Sequence, residues 1–314
     1  MYNSLMAGNG IKMKKMFGIF MSLLLVLLFA SLLVFSCSSR KYFSGDFLCV
    51  AEGLNFPEGP AFHENRLVFS NCYGGWIGEL RENVLDTLLN DRDGLVNTNG
   101  CAFDKEGNLY ICEYGKPSIL KYTVQGELRV LSDSDQQGRR FNRPNDICVS
   151  PSGMLYFTDP KSYNRELHDG RLFRVDPNSG ETVWVIEGLQ FPNGLCFSPD
   201  GETLYVGESV NKNILKINCR LGLLDTLIVL PQGNRDPDGM DCDVDGNLYI
   251  AYFGGGMIYV VSPQGIILDS LVTPGRKPSN VEFGGSDMKT LYVSECETNA
   301  IYAIRTNRPG FKKN

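Results

Sequence analysis

One short pattern recurs six times along the chain, and this repetition limits the fold more than any other feature. A representative copy is FPNGLCFSPDGETLYVGES (191–209), in which a polar residue beside proline or glycine leads into two apolar runs joined by a tight turn. The polar residues that open the copies are separated by 41, 46, 48, 45 and 41 residues, and they are Glu58, Asn99, Asn145, Asn193, Asp238 and Ser279. A period in the forties with several short strands per unit is typical of a β-propeller blade. We therefore predict an all-β chain folded as a six-bladed β-propeller.

Each copy is followed by a less regular pair of apolar runs, which predicts four strands per blade. An example is ILKYTVQGELRVL (119–131), where Gln-Gly marks a hairpin turn. The run FLCVAEGL (47–54) precedes the first copy, and AIYAI (300–304) follows the last. The simplest closure makes the early run the outer strand of the last blade, so that no sheet edge stays open. This predicts a propeller over residues 47–306 and a C-terminal tail over 307–314.

The N-terminal residues have the features of a secretory targeting segment. Lysines precede an unbroken apolar run at 17–36, and Cys37 follows it directly. We predict that residues 1–37 are a signal peptide of the lipoprotein type with a lipid on Cys37, and Met13 is an alternative start. A run of this length is also compatible with an uncleaved membrane anchor. In both cases residues 38–46 form a short linker, and the propeller is extracytoplasmic (periplasmic or at the cell surface), held to a membrane only by this segment.

Charge and cysteine content narrow the class of protein further. The formal net charge is −6 and the pI is about 5.1, so a nucleic-acid partner is not expected. Without Cys37 an odd number of cysteines remains, which excludes complete pairing. The thiols at the small apolar position of the first strand in each copy are expected to be buried, namely Cys101, Cys148, Cys196 and Cys242. A disulfide stays open among Cys49, Cys72, Cys112, Cys219 and Cys296. We expect a monomer.

The polar residues that open the six copies are expected to converge. In a propeller the inner strand of every blade begins at one face of the ring, so the residues before these strands point at one central mouth. Carboxylate and amide oxygens without thiols or imidazoles favour a hard cation, Ca²⁺ above all. Each residue taken singly is better explained as a turn residue that bonds its own backbone, and only the set of six favours a cation site. The second strands return to the same face and are expected to add a second tier there: Asn71, Glu113, Asp159, Glu208, Tyr252 and Glu295.

The motifs FPEGP, TNGCAFDKEGNLYICEYG, RRFNRPNDICVSPSGMLYFTDP, FPNGLCFSPDGETLYVGES and DPDGMDCDVDGNLYIA follow one another within residues 52–305. In this order they resemble the SMP-30/gluconolactonase/LRE-like family and, more distantly, paraoxonases and diisopropylfluorophosphatase. The resemblance implies one divalent cation at the mouth of the tunnel. The ligand set favours Ca²⁺, and Mg²⁺, Mn²⁺ and Zn²⁺ are left open. The implied ligands are Glu58, Asn145, Asn193 and Asp238. Beside them on the substrate side the resemblance implies Asn99 and Asp146.

The same resemblance implies a reaction. A family member of this type is a hydrolase that opens a sugar lactone or a related ester by attack of water at a Ca²⁺-polarised carbonyl. Asp238 is the candidate catalytic residue, as general base or nucleophile, and a role as a plain metal ligand is the equal alternative. Departures from the family pattern at EYG (113–115) and FTDPKSY (157–163) flank the site and therefore concern the substrate. The alternative function is a non-catalytic extracytoplasmic propeller that binds a ligand or a protein.

Two long loops on the active face, 132–143 and 161–171, are expected to influence the choice of substrate. Among the cations of these loops, Arg143 is the candidate for binding a substrate carboxylate. The alternative is that these cations form only a solvated basic surface. The other cations of this surface are Arg139, Arg140, Lys161 and Arg165. His63 is expected to be structural at the far face, whereas His168 lies in a loop of the active face without an evident partner.

Overall fold

The computed structural model describes residues 41–312, and within them the fold is the predicted six-bladed propeller. Each of the six antiparallel sheets has four strands, and the innermost strand of every sheet contacts the innermost strands of both neighbouring sheets. The inner strands therefore form a closed ring around a central channel. Helical structure in the described range is limited to two 3-10 turns, Cys72–Gly74 and Asp91–Asp93.

In the first five blades the strands run outward from the channel in chain order. Blade one contains β2 (Pro57–His63), β3 (Arg66–Asn71), β4 (Trp76–Arg81) and β5 (Val84–Leu89). Blade two contains β6 (Thr98–Phe103), β7 (Leu109–Glu113), β8 (Ser118–Tyr122) and β9 (Leu128–Ser132). Blade three contains β10 (Ile147–Val149), β11 (Leu155–Asp159), β12 (Gly170–Val175) and β13 (Thr182–Leu189). Blade four contains β14 (Pro192–Phe197), β15 (Thr203–Glu208), β16 (Asn213–Asn218) and β17 (Leu223–Val229).

The last two blades follow the same plan, except for the outermost strand of blade six. Blade five contains β18 (Asp236–Cys242), β19 (Leu248–Phe253), β20 (Met257–Val261) and β21 (Ile267–Val272). Blade six contains β22 (Pro278–Gly284), β23 (Thr290–Glu295), β24 (Ala300–Thr306) and, at its outer edge, β1 (Phe43–Ala51).

Strand β1 closes the ring, as predicted for the early run at 47–54. It pairs antiparallel with β24, and Phe43 lies opposite Thr306. The strand begins earlier than the predicted run, so residues 43–46 belong to β1 and not to a linker. Because both ends of the propeller contribute to blade six, β24 is not left as an open sheet edge.

Burial decreases from the channel outward. Every residue of the inner strands β6, β14 and β22 is buried, whereas four consecutive residues of the outer strands β5 and β17 are exposed. Apolar side chains form six clusters, and each cluster lies between two adjacent blades. The apolar core therefore consists of layers between blades, which leaves the central channel to other side chains.

The cysteines of residues 41–312 are free thiols. The four that were expected to be buried are buried, and those for which a disulfide was left open do not pair in the described range. No helix within that range has both the length and the apolar character needed to cross a membrane. The predicted signal or anchor segment, including Cys37, lies outside the described residues.

A β-bulge interrupts the inner strand of five blades at the polar residue that opens each copy. In blade one the register shift lies between Glu58 and Ala61, and blades two, four, five and six have the corresponding shift. Adjacent inner strands approach closely here. A Cβ atom on Gly194 would lie only 2.2 Å from the carbonyl oxygen of Asp238, so only glycine fits at this position. A bulge bends a strand and changes the direction of its side chains. The glycine and the bulge together turn the polar side chains of blades one, two, four and five towards the channel, whereas Asn145 reaches it from blade three, whose inner strand has no register shift.

The C-terminal segment (307–312) crosses the face at which the inner strands end. The backbone N–H of Gly310 donates to the carbonyl of Met288 (2.7 Å), and that of Phe311 donates to the carbonyl of Cys242 (3.0 Å). The Phe311 ring packs against the apolar cluster between blades four and five. As far as it is described, this segment is part of the packed ring.

Candidate functional site

The face at which the inner strands begin contains a cavity of about 660 Å³ in the mouth of the central channel, termed here the mouth cavity. Six of the candidate residues predicted from the sequence line it: Glu58, Asn99, Arg143, Asn145, Asn193 and Asp238. They come from five blades and are distant in sequence. The ring brings them together because all inner strands begin at the same face.

Four of these residues, Glu58, Asn145, Asn193 and Asp238, are termed the floor of the mouth cavity. Glu58 is 4% exposed and Asn193 is 9% exposed, whereas Asn145 and Asp238 keep partial exposure. Among residues 41–312 no group of three or more histidine, cysteine, aspartate or glutamate side chains has a metal-binding arrangement. The floor is instead a mixed set of two carboxylates and two amides, which offers oxygen atoms as ligands.

The two floor carboxylates lie in an environment that disfavours negative charge. Burial, followed by the negative charge of Asp146, raises the pKa of Glu58 to about 8, although the Gly59 N–H and Ser279 hydrogen-bond it. Burial also raises the pKa of Asp238 well above its usual value, and the charges of Glu58, Asp146 and Asp236 add to this effect. A hydrogen bond from the Asn193 side chain partly offsets it. The floor therefore holds more potential negative charge than its own hydrogen bonds stabilise.

Hydroxyl groups connect the residues of the floor to neighbouring blades. Thr158 Oγ1 in blade three donates to the carbonyl of Asn193 in blade four (2.8 Å). Ser209 Oγ in blade four donates to the carbonyl of Pro237 in blade five (3.0 Å) and accepts from the Asn193 amide (3.2 Å). The same type of bond runs from Ser70 to the Asn99 carbonyl and from Ser279 to the Pro57 carbonyl. These bonds fix the backbone from which the floor side chains project.

The expected second tier does not line the mouth cavity. Asp159 accepts hydrogen bonds from the backbone N–H groups of Asn142 (2.9 Å) and Arg143 (2.7 Å), in the loop that leads to the inner strand of its own blade. Glu113 accepts equivalent bonds from Val96 and Asn97, both at 2.9 Å. The remaining members bond the corresponding loops of their blades, through Asn71 to Asn55, Glu208 to Gln190, Tyr252 to Pro231 and Glu295 to Lys277. These side chains turn away from the channel because the loops present unpaired backbone groups.

Two further candidates lie elsewhere. Asp146 does not line the mouth cavity but a smaller cavity at the far end of the channel, and its carboxylate accepts a hydrogen bond from the Ile147 N–H (2.9 Å). Ser279, the sixth residue of the expected ring, is buried and bonds the Pro57 carbonyl at 2.8 Å. The expected ring of six donors is therefore a ring of five at the mouth.

Two of the five cations of the predicted basic surface are neutralised by ion pairs, whereas Lys161 and Arg165 have none within residues 41–312. Arg139 forms ion pairs with Asp135 (2.7 Å) and Glu187 (2.6 Å), and Arg140 pairs with Asp133. Arg143 lines the mouth cavity and has no ion pair within residues 41–312.

The two histidines lie outside the mouth cavity. His168 lies 2.9 Å from the Gln190 side chain in an exposed loop, and His63 lines the far cavity.

The rim of the mouth cavity is formed by residues at one equivalent position of the repeat. Their shared role was not predicted from the sequence. In five blades the residue directly before the first proline of the repeat lines the cavity, and these rim residues are Phe56, Arg143, Phe191, Asp236 and Lys277. The signal was present in the sequence, because each lies two positions before the polar residue that opens its copy. Blade two has Asn97-Thr98 at the equivalent place, and Asn97 does not line the cavity.

One rim residue is held by a loop from another blade. Tyr163, in the loop between β11 and β12, donates a hydrogen bond to Asp236 (2.5 Å), which also pairs with Lys212 (2.6 Å). The Tyr163 ring packs edge-on against Phe191, with ring centres 5.1 Å apart. The charge of Asp236 is thus compensated, and the loop of blade three forms part of the wall over blades four and five.

A family model described as the SMP-30/Gluconolactonase/LRE-like region matches residues 56–297, more than half of the chain. A gluconolactonase of Zymomonas mobilis is 32% identical over 234 residues, which are 68% of this chain and 64% of the relative. Strictosidine synthase-like protein 6 of Arabidopsis thaliana is 31% identical over 220 residues, 64% of this chain and 57% of the relative. The chain thus spans less than two thirds of the length of these curated relatives. The solved structure of a gluconolactonase from Xanthomonas campestris, 27% identical, superposes with a TM-score of 0.72 over 86% of this chain and 96% of that chain.

Proposed function

The chain belongs to the SMP-30/gluconolactonase/LRE-like family, and on that premise we propose that it is a metal-dependent hydrolase that opens lactone rings. The observation that carries the proposal is the floor of the mouth cavity, where Glu58, Asn145, Asn193 and Asp238 come from four blades to one cavity. Crowded carboxylates in a partly buried position weaken a fold unless a positive charge compensates them. Their presence is therefore better explained by a function than by folding.

The donor chemistry of the floor fits a divalent cation. All four side chains offer oxygen atoms, and Ca²⁺ accepts such a mixture of carboxylate and amide ligands more readily than Zn²⁺ does. Burial, followed by the neighbouring negative charges, raises the pKa of Glu58 and of Asp238, and a cation bound between them would offset both effects. When bound, the cation supplies the positive charge that polarises a lactone carbonyl and stabilises the oxyanion.

In this proposal Asp238 is the general base. Its carboxylate takes a proton from a water molecule, the water oxygen forms a bond to the lactone carbonyl carbon, and the ring C–O bond then breaks. The proton held by Asp238 passes to the departing ring oxygen, so the products are a hydroxy acid and an unchanged enzyme.

Two residues of the mouth cavity are assigned to binding the substrate. Asn99 lies on the same face of the channel as the floor, and Arg143 lies on the rim without an ion pair in the described range. Both offer hydrogen-bond donors to a ring oxygen or a substituent of a lactone. The relatives from Zymomonas mobilis and Xanthomonas campestris have the name gluconolactonase, which supports lactones as the substrate class and sugar lactones as the first to be tested.

The test is acid release from lactones in the presence of Ca²⁺ and in the presence of a chelator. D-glucono-1,5-lactone and γ-butyrolactone are suitable substrates, and Asp238→Asn, which keeps the shape of the side chain, corrects for spontaneous hydrolysis. We expect calcium-dependent turnover that Asp238→Asn lacks. Stoichiometric binding of metal without turnover of any lactone or ester would instead favour a non-catalytic binding propeller.

We also propose that the propeller is tethered outside the cytoplasm through Cys37. The support is the sequence pattern at residues 13–37, where lysines and an apolar run precede the cysteine. Metabolic labelling with a fatty acid tests it, because Cys37→Ser is expected to abolish the label. A label that persists in Cys37→Ser, or no label in the unaltered protein, would argue for an uncleaved anchor.

A further inference from the structure

We propose that aromatic side chains of the mouth cavity select lactones that carry a flat apolar substituent, such as an aryl group, over polyhydroxylated sugar lactones. This inference rests on the proposed function, since it concerns the substituent of a substrate whose ring is opened at the floor. Its basis is a set of aromatic side chains that lines the cavity above the floor. We term this set the aromatic wall, and its members are Phe56, Tyr73, Tyr114, Tyr163, Phe191 and Phe253.

The rings of the aromatic wall are in contact with one another on two sides of the cavity. On one side Phe56 packs against Tyr73 and Phe253, with ring centres 4.7 Å and 6.2 Å apart. On the other side Tyr163 packs against Phe191 at 5.1 Å. All of these side chains keep partial or full exposure although they are aromatic. Clustered aromatic surface that is open to a cavity is typical of a ligand-binding wall and not of a core.

Backbone conformation gives an independent indication that the rings have a purpose. Phe56 and Phe191 have φ angles of +61° and +56°, in the left-handed region that bulky residues rarely adopt. The two occupy equivalent positions of their blades, and in both the carbonyl accepts a hydrogen bond from the residue after the second strand, Cys72 (3.0 Å) and Ser209 (3.1 Å). Glycine or asparagine would satisfy this backbone with less strain. The presence of phenylalanine at both positions therefore points to a requirement for the ring itself.

Two polar groups at the wall are engaged with the protein, whereas the cations Arg143 and Lys277 line the same cavity without an ion pair in the described range, and Lys277 Nζ lies 6.0 Å from the centre of the Phe253 ring. Asp236 is bonded by Tyr163 and Lys212, and the Tyr114 hydroxyl lies 3.5 Å from the Cys72 thiol, which donates to it. A sugar lactone must replace the water bound to each of its hydroxyl groups with protein hydrogen bonds, and buried hydroxyls without partners are costly. An apolar substituent has no such requirement and gains by leaving water. The wall thus favours the apolar substituent, while Arg143 and Asn99 remain near the ring to be opened.

The experiment compares three probes with different substituents: γ-phenyl-γ-butyrolactone, γ-butyrolactone and D-glucono-1,5-lactone. The two γ-lactones share one ring, whereas the six-membered gluconolactone hydrolyses faster without enzyme, so each kcat/KM is divided by the rate constant of spontaneous hydrolysis. We expect kcat/KM for the phenyl lactone to exceed that for each of the other two by about tenfold or more, the scale of discrimination by an apolar pocket. In the double variant Phe56→Asn/Phe191→Asn, asparagine suits the left-handed backbone but removes both rings. The ratio of kcat/KM for the phenyl lactone to that for γ-butyrolactone should then fall by about tenfold.

A matched control is available at the other end of the channel. Met288 also has a positive φ angle (+54°) and lines the far cavity, so Met288→Asn removes a large apolar side chain from the same backbone conformation. It is expected to leave the substrate ratio unchanged. Preference for D-glucono-1,5-lactone over the phenyl lactone, or a ratio that does not change in the double phenylalanine variant, would overturn the inference while leaving the lactonase proposal intact.

A binding measurement separates failure of the inference from failure of the proposed function. If no lactone is hydrolysed, calorimetric titration with the phenyl lactone and with γ-butyrolactone still reports the preference of the wall. Tighter binding of the phenyl compound that is lost in the double variant would retain the apolar specificity and reject only the hydrolase. Equal or absent binding of both compounds would reject the inference as well.

Discussion

The two ends of the central channel are built from the same six inner strands, but they differ in size, chemistry and closure. The mouth holds a cavity of about 660 Å³ lined by oxygen-bearing side chains and exposed aromatic rings. The far end holds about 140 Å³ and is lined by apolar side chains such as Phe62 and Met240 together with polar ones such as Asp146, and Phe311 of the C-terminal segment lies against it. The repeated sequence therefore specifies a ring whose two faces differ in the side chains that they present to the channel.

The difference originates in the inner strands themselves. At the mouth each copy begins with a polar residue, and in blades one, two, four and five a glycine and a bulge follow it, so that regular pairing is interrupted and side chains turn into the channel. Toward the far end the pairing is regular again, and Phe62 and Phe103 belong to that part of β2 and β6. The candidate site thus lies where strand pairing is interrupted, and continuous pairing lies toward the far end. Changes at the mouth should alter chemistry, and changes at the far end should alter stability alone.

The largest effect is expected for Asp238→Asn at the mouth. The amide keeps an oxygen and nearly the same shape but cannot accept the proton of the attacking water, so turnover should fall by about 10²-fold or more. Saturating Ca²⁺ should not restore it, and metal affinity should fall only modestly. Asn193→Asp is the converse variant, because it adds charge to the floor without a new general base. Near-normal turnover of Asp238→Asn at high Ca²⁺ would show that Asp238 is only a ligand.

The second effect is stabilisation by metal, which should act through the mouth alone. Ligands from four blades are held together only in the folded ring, so Ca²⁺ at roughly 100 times its Kd should add about 2.7 kcal/mol to the free energy of unfolding. A chelator should lower Tm, and Ca²⁺ should restore it. In Glu58→Gln the Tm should respond to neither. The control is Glu106→Gln, at an exposed acid outside the mouth cavity, and an unchanged calcium response in Glu58→Gln would place the ion elsewhere.

The third effect is a pH dependence of the metal-free protein. The pKa of Glu58 is raised from 4.5 to about 8, so the folded state holds a proton that the unfolded state loses earlier. Stability from this group is fully present below pH 4.5 and is lost as the pH rises through about 8. In a chelator Tm should therefore decline between these values more steeply than with Ca²⁺ present. Equal slopes with and without Ca²⁺, or an undiminished slope in Glu58→Gln, would contradict the assignment.

The smallest effect is expected at the far end. Phe311→Ala removes a half-buried ring from the cluster between blades four and five, and the loss should be about 2 kcal/mol, below the ~3–5 kcal/mol typical of fully buried phenylalanine. Thermal or denaturant unfolding measures this change. Turnover at a temperature well below Tm should be unchanged, because Phe311 does not line the mouth cavity. A loss of turnover in this variant would show that the two ends of the channel are coupled.

Much of this organisation was predictable from the sequence because it is encoded locally. The spacing of the copies, the turn residues and the alternation of apolar residues predicted six blades of four strands, and the unpaired run near residue 47 predicted the closure by β1. The residues at the mouth cavity were predictable for the same reason, since position within the repeat determines the face. The rim residues Phe56 and Lys277 were equally readable, because each precedes a proline at a fixed place in its repeat.

Tertiary structure decided where the polar side chains point. Asp159 and Glu113 end the second strands at the active face, but loop N–H groups draw their carboxylates away from the channel. Asp146 neighbours the floor in sequence and yet lines the far cavity. A side chain at a strand end points towards a nearby backbone group that needs a hydrogen bond or towards an open volume. The position of such a group or volume depends on residues distant in the chain. Repetition in the sequence therefore determined the ring and its two faces, and contacts across the ring determined which polar groups lie in the mouth cavity.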